Sequence, residues 1–189
     1  ALFRQELQAA GLKGLPLAEA RGHQDDPAAV VVGKKVYARD LLQTEAEAIA
    51  GLVRAYATRF PLRLGMPREE VRRRRKFPGT TPEWTALLQT MSALGGWHVA
   101  ADRLAVAPEG PTLPDDLARG VAAREETLRE LGLQWPGLEG FREAVRQAPP
   151  PPPEQGEEEY LRHLTDHGRA IAVSSEYHVH RDARDALPQ

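Results

Sequence analysis

Apolar positions recur along the chain in two rhythms, one of helical and one of strand period. In the middle, Leu42, Ala46, Ile49, Val53, Tyr56 and Phe60 return every three or four residues, which predicts an amphipathic helix that Pro61 ends. Pro67 then suits the first turn of a short helix running to Lys76, with Glu69 and Glu70 near its positive end and arginines toward its negative end. Phe77-Pro78-Gly79-Thr80 breaks the chain. Thr81 reads as an N-cap with Pro82 behind it, and Trp84, Leu87, Leu88, Met91 and Leu94 line one face of a third helix that Gly95-Gly96 stops. The strand rhythm occurs at Ala29–Ala38, Trp97–Val106 and Ala170–Val179. Each has apolar, mostly β-branched residues on both sides of a short polar or glycine-bearing break, which predicts a β-hairpin. Val32, Val99 and Val173 close the first strand of each, so the hairpins repeat after 67 and then 74 residues, with helical sequence between.

The middle repeat therefore runs helix, helix, turn, helix, hairpin, the order of a helix-turn-helix with a β-wing. The third repeat follows it, with Pro114–Leu131, Gly137–Arg146 and Glu157–His167 as helices and Arg169–His180 as the wing. Between its second and third helices, Ala148–Gly156 holds five prolines in a row. They favour a rod about 15 Å long at roughly 3.1 Å per residue, too long for a tight turn. The segment reads as a surface excursion that leaves the helices packed; a linker separating Glu157 onward, or a ligand for a proline-reading module, are the alternatives. In the first repeat, Leu2–Ala10 and Leu15–Arg21 are expected as helices around Gly11–Gly14, while His23–Ala28 is too short for a third. The expected fold class is mainly α with small β-hairpins (α+β), a tandem of winged-helix domains. Residues 1–40 form a partial or degenerate one, 41–109 a full one, and 110–189 another with a Pro-rich insertion at 148–156.

Composition narrows the function. The longest unbroken apolar run, Ala28–Val32, is far short of the roughly 20 residues a bilayer demands, and no N-terminal stretch reads as a secretion signal, so a cytoplasmic chain without membrane contact is expected. The chain opens on Ala1 rather than Met, directly before helical sequence, which suggests a piece of a longer protein. With no cysteine, disulfides, thiolate metal sites and thiol nucleophiles are excluded together. A net charge of −2 excludes a polycation, so any nucleic-acid surface must be a local patch.

One such patch is present. Arg63, Arg68, Arg72, Arg73, Arg74, Arg75 and Lys76 stand against only Glu69 and Glu70 over fourteen residues. Arg72, Arg75 and Lys76 fall within one arc of the helix, and guanidinium forks match phosphate oxygens, so the cluster is a candidate phosphate or RNA site. The competing reading is an arginine face that pairs with acidic residues of the third repeat and seals repeat against repeat. Trp84 and Trp97 could stack on unpaired bases, but their spacing with Leu88 and Met91 places them in the core, as it does Tyr37, Tyr160 and Tyr177. His163 and His167, four apart on a helix, and His178 and His180, on one strand face, permit zinc by spacing alone; with no cysteine and no patterned carboxylate, no metal site is assigned and the histidines are expected to face water. Glu157–Glu159 and Asp25-Asp26 read as solvated or helix-terminal acids. No Gly-x-Ser-x-Gly elbow, His-Glu-x-x-His or phosphate loop occurs, so no catalytic residue and no cofactor is assigned and the chain is not expected to be an enzyme.

Phe60-Pro-Leu-Arg-Leu-Gly-Met-Pro-Arg-Glu-Glu-Val-Arg72 resembles the His-x-x-x-Pro-Leu-Arg-x-Gly-Met-x-x-Glu-Glu-Leu-Arg segment in the C-terminal winged-helix region of bacterial selenocysteine-specific elongation factors (SelB). Ser174–Ala183 is similar to the wing and exit of the next repeat, and Gly11–Glu19 to the opening of an earlier one. The resemblance implies a partnership with GTPase and tRNA-binding domains of a parent protein, and with a structured mRNA hairpin, or ribosomal RNA, during UGA recoding. The family's nucleotide-binding loop is missing from this chain, and no counterpart of its last, RNA-holding winged helix follows Arg184–Gln189, so no RNA-contact residue is carried over. Two other classes stay open. One is a nucleic-acid-binding regulator, against which Glu83, Thr85, Gln89 and Ser92 leave the third middle helix without an exposed Arg or Lys. The other is an interaction scaffold without nucleic-acid contacts.

Overall fold

A computed structural model describes residues 2–23, 25–153 and 155–186. The chain divides into two compact units, residues 1–59 with 65–110, and residues 60–64 with 111–189.

The first unit opens with α1 (Leu2–Ala10) and a 3-10 turn, Gly11–Lys13. Leu15–Arg21 is not the helix its composition suggests. Gly14 takes a positive φ, the residue before Pro16 is held extended, and Leu15–Pro16 becomes β1, pairing through Leu15 with Val36. β2 (Ala29–Val32) and β3 (Lys35–Ala38) form the expected hairpin, giving a sheet of order β1-β3-β2. Phe3, Leu7, Ala20, Ala29, Val36 and Ala38 close a small core beneath it, with Phe3 stacked on His23 at 4.4 Å.

α2 (Arg39–Arg59) buries Leu42, Ala46, Ile49, Val53 and Tyr56, as their spacing requires, but ends before Phe60. β4 (Met66–Pro67) takes Pro67 out of the helix proposed for it and pairs it with Arg103, where an edge strand tolerates a missing N–H. α3 (Arg68–Arg75) follows and ends on Lys76, whose φ of 50° is left-handed. α4 (Thr81–Gly95) is capped by Thr80, one residue earlier than the sequence suggests. The Thr80 hydroxyl accepts from the Glu83 N–H, and the Glu83 carboxylate accepts from the Thr80 N–H at 2.7 Å, a reciprocal capping box. Trp84, Leu87, Leu88 and Met91 are buried, whereas Leu94, in the last turn, is exposed. β5 (His98–Val99) and β6 (Arg103–Ala105) complete a sheet of order β4-β6-β5.

In the second unit, α5 (Asp115–Leu131), α6 (Gly137–Ala144) and α7 (Glu157–Asp166) surround one core with β7 (Ala170–Ala172) and β8 (His178–His180). Val121, Leu128, Phe141, Val145, Tyr160, Leu161, Leu164 and Ala170 fill it together with Leu62, which is wholly buried. The polyproline stretch leaves α6 and α7 packed in that core, because its backbone is tied down. Arg124 donates to the Pro149 carbonyl at 2.9 Å and the Tyr160 hydroxyl to that of Pro150 at 3.4 Å. A 3-10 turn, Arg181–Ala186, follows β8.

Candidate nucleic-acid interface

The seven cations grouped in sequence have different surroundings. Arg63 lies in the second unit, where its guanidinium grips Glu159 through two hydrogen bonds of 2.9 and 2.8 Å and covers the Phe60 ring at 4.4 Å. That fork holds the Glu159 carboxyl below its ordinary range. In the first unit, Arg68 donates to the Ala101 carbonyl at 2.8 Å and to the Thr85 hydroxyl at 2.6 Å. Arg72 turns onto the break before α4, reaching the Gly79 carbonyl at 2.7 Å and the Thr81 hydroxyl at 3.0 Å. Arg75 forks onto Glu45 of α2 at 2.8 and 2.7 Å, which raises its own pKa. Arg74 is exposed and pairs with Glu70 one turn earlier. Arg73 and Lys76 are exposed, and their side chains have no ionic or hydrogen-bonding partner among the described residues. The arc drawn through Arg72, Arg75 and Lys76 is therefore a helical-wheel proximity only. The first two side chains reach inward across their own unit, because acceptors on α2 and before α4 lie within a guanidinium's length.

Of the aromatic candidates, Trp84, Trp97, Tyr37 and Tyr160 are core residues, whereas Tyr177 is half-buried and donates its hydroxyl to the Leu133 carbonyl at 2.5 Å. Trp84 is 1% exposed and tilts against Phe77 at 5.1 Å, while Trp97 donates through Nε1 to the Ala46 carbonyl at 3.2 Å. Burial, with the Glu83 charge adding to it, pushes the Tyr37 hydroxyl up to about 12.

Two of the four candidate histidines, His163 and His180, are buried rather than facing water, and His167 and His178 are half-buried. His163 Nδ1 meets the Leu62 carbonyl at 2.9 Å, His167 Nδ1 the His163 carbonyl at 2.8 Å, and His180 is buried beside Glu125 and Asp182. α5 packs against β8, where Val179 and His180 are both buried. No group of three or more His, Asp or Glu able to hold a metal occurs among the described residues.

Glu157 and Glu159 are helix-terminal acids, in the first turn of α7, but they are not solvated, and the Arg63–Glu159 pair realises, within the second unit, the pairing of a cluster arginine with a third-repeat acid. Both carboxylates are buried, Glu159 under Arg63 and Glu157 under Arg124. An arginine with its carboxylate 33 positions away leaves no local signature.

On this geometry, a three-helix cluster closed by a small antiparallel wing, the chain is a winged-helix protein of mainly α, α+β class. Residues 51–96 match the family model of the elongation factor SelB winged helix, so the middle repeat is a SelB-like winged-helix region. Among solved structures, the chain is similar to the crystal structure of a bacterial selenocysteine-specific elongation factor, EF-Sec. Identity is 14% and the TM-score 0.49, over 96% of this chain but only 28% of that protein's. No curated protein sequence matches. No helix among the described residues is long and apolar enough to cross a membrane.

Proposed function

We propose that this chain is part of a selenocysteine-specific elongation factor. It acts there as a winged-helix spacer between the GTPase and tRNA-binding domains and the recognition of an mRNA hairpin during UGA recoding. The observation that carries the reading is the family match at residues 51–96, which falls across α2, α3 and α4, the helices that define the winged helix. In this role the molecule does mechanical work: buried cores and ion pairs make each unit stiff.

RNA contact, to the mRNA hairpin or to ribosomal RNA, is assigned to the free end of α3. Arg63, Arg68, Arg72 and Arg75 are occupied within the protein, which leaves Arg73 and Lys76, with Arg74 beside them, for phosphate. Lys76 supports this assignment. It occupies the exposed left-handed C-cap of α3, where its ammonium is open to a phosphate. The scaffold reading retains one specific support. The α7 surface offers Glu158, Arg162 and Asp166, and the exposed α4 surface offers Gln89 and Ala93, so neither wing-bearing helix presents a cationic face.

Titration of the chain with a stem-loop RNA and with duplex DNA at two salt concentrations separates the two. The spacer reading expects RNA to bind more tightly than DNA, with a logarithmic salt slope of about −2 for two to three phosphates. Flat titrations at low salt would leave the scaffold.

A further inference from the structure

The face of the second unit formed by α7 and the β7–β8 wing has a chemistry unsuited to nucleic acid. There α7, the wing and the start of α6 enclose a cleft of about 850 Å³, within the range that holds a small ligand or a few residues of peptide. Its apolar lining comes from Trp135, Leu138, Leu161 and Tyr177. Its charged lining is Glu158, Asp166 and Glu176 against Arg162 alone, and Arg162 is already held by Glu159 at 3.2 Å. Glu158 is met by Arg142 at 3.1 Å, whereas the Glu176 carboxylate is exposed and has no ionic partner among the described residues. A phosphate backbone would be repelled here, and a cation drawn in. Two ring nitrogens of the lining, Trp135 Nε1 and His178 Nδ1, are shielded from water and lack hydrogen-bond partners among the described residues. Their rings lie 5.5 Å apart. Buried polar atoms without partners are costly, so this wall of the cleft is held at an energetic expense.

We propose that this cleft docks a short basic segment of a partner protein. An arginine or lysine of the segment meets Glu176, and a neighbouring apolar side chain covers Trp135 and Leu138. This assignment is independent of the RNA role given to α3, which lies in the other unit.

The test uses the whole chain and two blocked pentapeptides alternating leucine with either arginine or glutamate, titrated calorimetrically. Glu176→Lys reverses a rim charge and Ala172→Arg adds a positive one, both at exposed positions, and an unchanged Tm confirms that each variant folds. The arginine peptide is expected to bind one to one and to lose roughly tenfold in affinity in each variant. The glutamate peptide should not bind, and a single-stranded RNA should not displace the arginine peptide. Absence of binding, equal binding of the two peptides, indifference to both variants, or displacement by RNA would each overturn the proposal.

Discussion

Arg124→Ala puts the packing account under its greatest strain. Arg124 is 1% exposed; it grips Glu157 through bonds of 2.5 and 2.6 Å, donates to the Gly120 and Pro149 carbonyls at 3.1 and 2.9 Å, and lies 3.8 Å above the Tyr160 ring. The substitution leaves the Glu157 carboxylate buried in the first turn of α7 and removes one of the two anchors of the polyproline backbone. Removing one member of a buried pair costs about 3–5 kcal/mol, much of it from the stranded partner. In a domain of this size each kcal/mol lowers Tm by about 4–8 °C, so a fall of at least roughly 12 °C is expected. Hydrogen exchange assigns the loss: amides of α5 and α7 should lose at least about two powers of ten in protection. The control is Arg124→Met with Glu157→Leu, which removes both charges at similar volume and is expected within about 1 kcal/mol of the parent. A single variant that costs less than about 1 kcal/mol, or a double variant as damaged as the single, would refute the reasoning.

Three further outcomes follow from the geometry. A Cβ at Gly65 would press on the Leu104 backbone in sheet β4-β6-β5, so Gly65→Ala should destabilise the first unit by about 1–3 kcal/mol in urea unfolding. In the same unit, hydrogen bonds from Lys35 and Thr80 hold the Glu83 carboxyl down at about 2, against 4.5 when unfolded. Its contribution is complete above pH 4.5 and lost as pH falls through about 2; Tyr37, raised from 10 to about 12, begins to be lost above pH 10. The Tm of Glu83→Gln should accordingly fall less than the parent's on acidification. Burial holds the His163 imidazole below 6.5, so the unfolded chain takes up a proton that the folded one refuses. Stability of the second unit is therefore whole above pH 6.5 and declines below it. His163→Gln should flatten the Tm profile below pH 6.5, where the unfolded imidazole takes up its proton and the folded one does not.

The elements legible in the sequence were those fixed by local rules. Apolar periodicity locates α2 and α4, repetition of the middle pattern locates α5, α6 and α7, and β-branched runs locate all three hairpins, because helix faces and strand faces are written within a few residues of each other. β1 and β4 were missed because each is a two-residue strand bearing a proline and exists only through a partner far along the chain, Val36 for Leu15 and Leu104 for Met66. Thr80 and Thr81 are chemically alike as caps of α4, and only Glu83, three residues beyond Thr80, selects the earlier one. The basic cluster was visible as charge but not as geometry. Arg63 and Arg75 look equivalent to Arg73 in sequence, yet carboxylates at Glu159 and Glu45 engage the first two. Burial of Glu157, His163 and His180 depends on long-range packing for which the chain carries no local mark.

The division of labour within the basic cluster is tested most directly by comparing two double variants in one assay. Fluorescence anisotropy with a labelled stem-loop RNA, at two salt concentrations and alongside thermal unfolding, reads both affinity and fold. Arg73→Glu with Lys76→Glu should weaken RNA binding at least about tenfold and flatten the salt slope by about 2, leaving Tm unchanged. Arg72→Glu with Arg75→Glu should lower Tm, because Gly79, Thr81 and Glu45 lose their partner. RNA affinity and salt slope unchanged in the Arg73 and Lys76 variant would contradict the account.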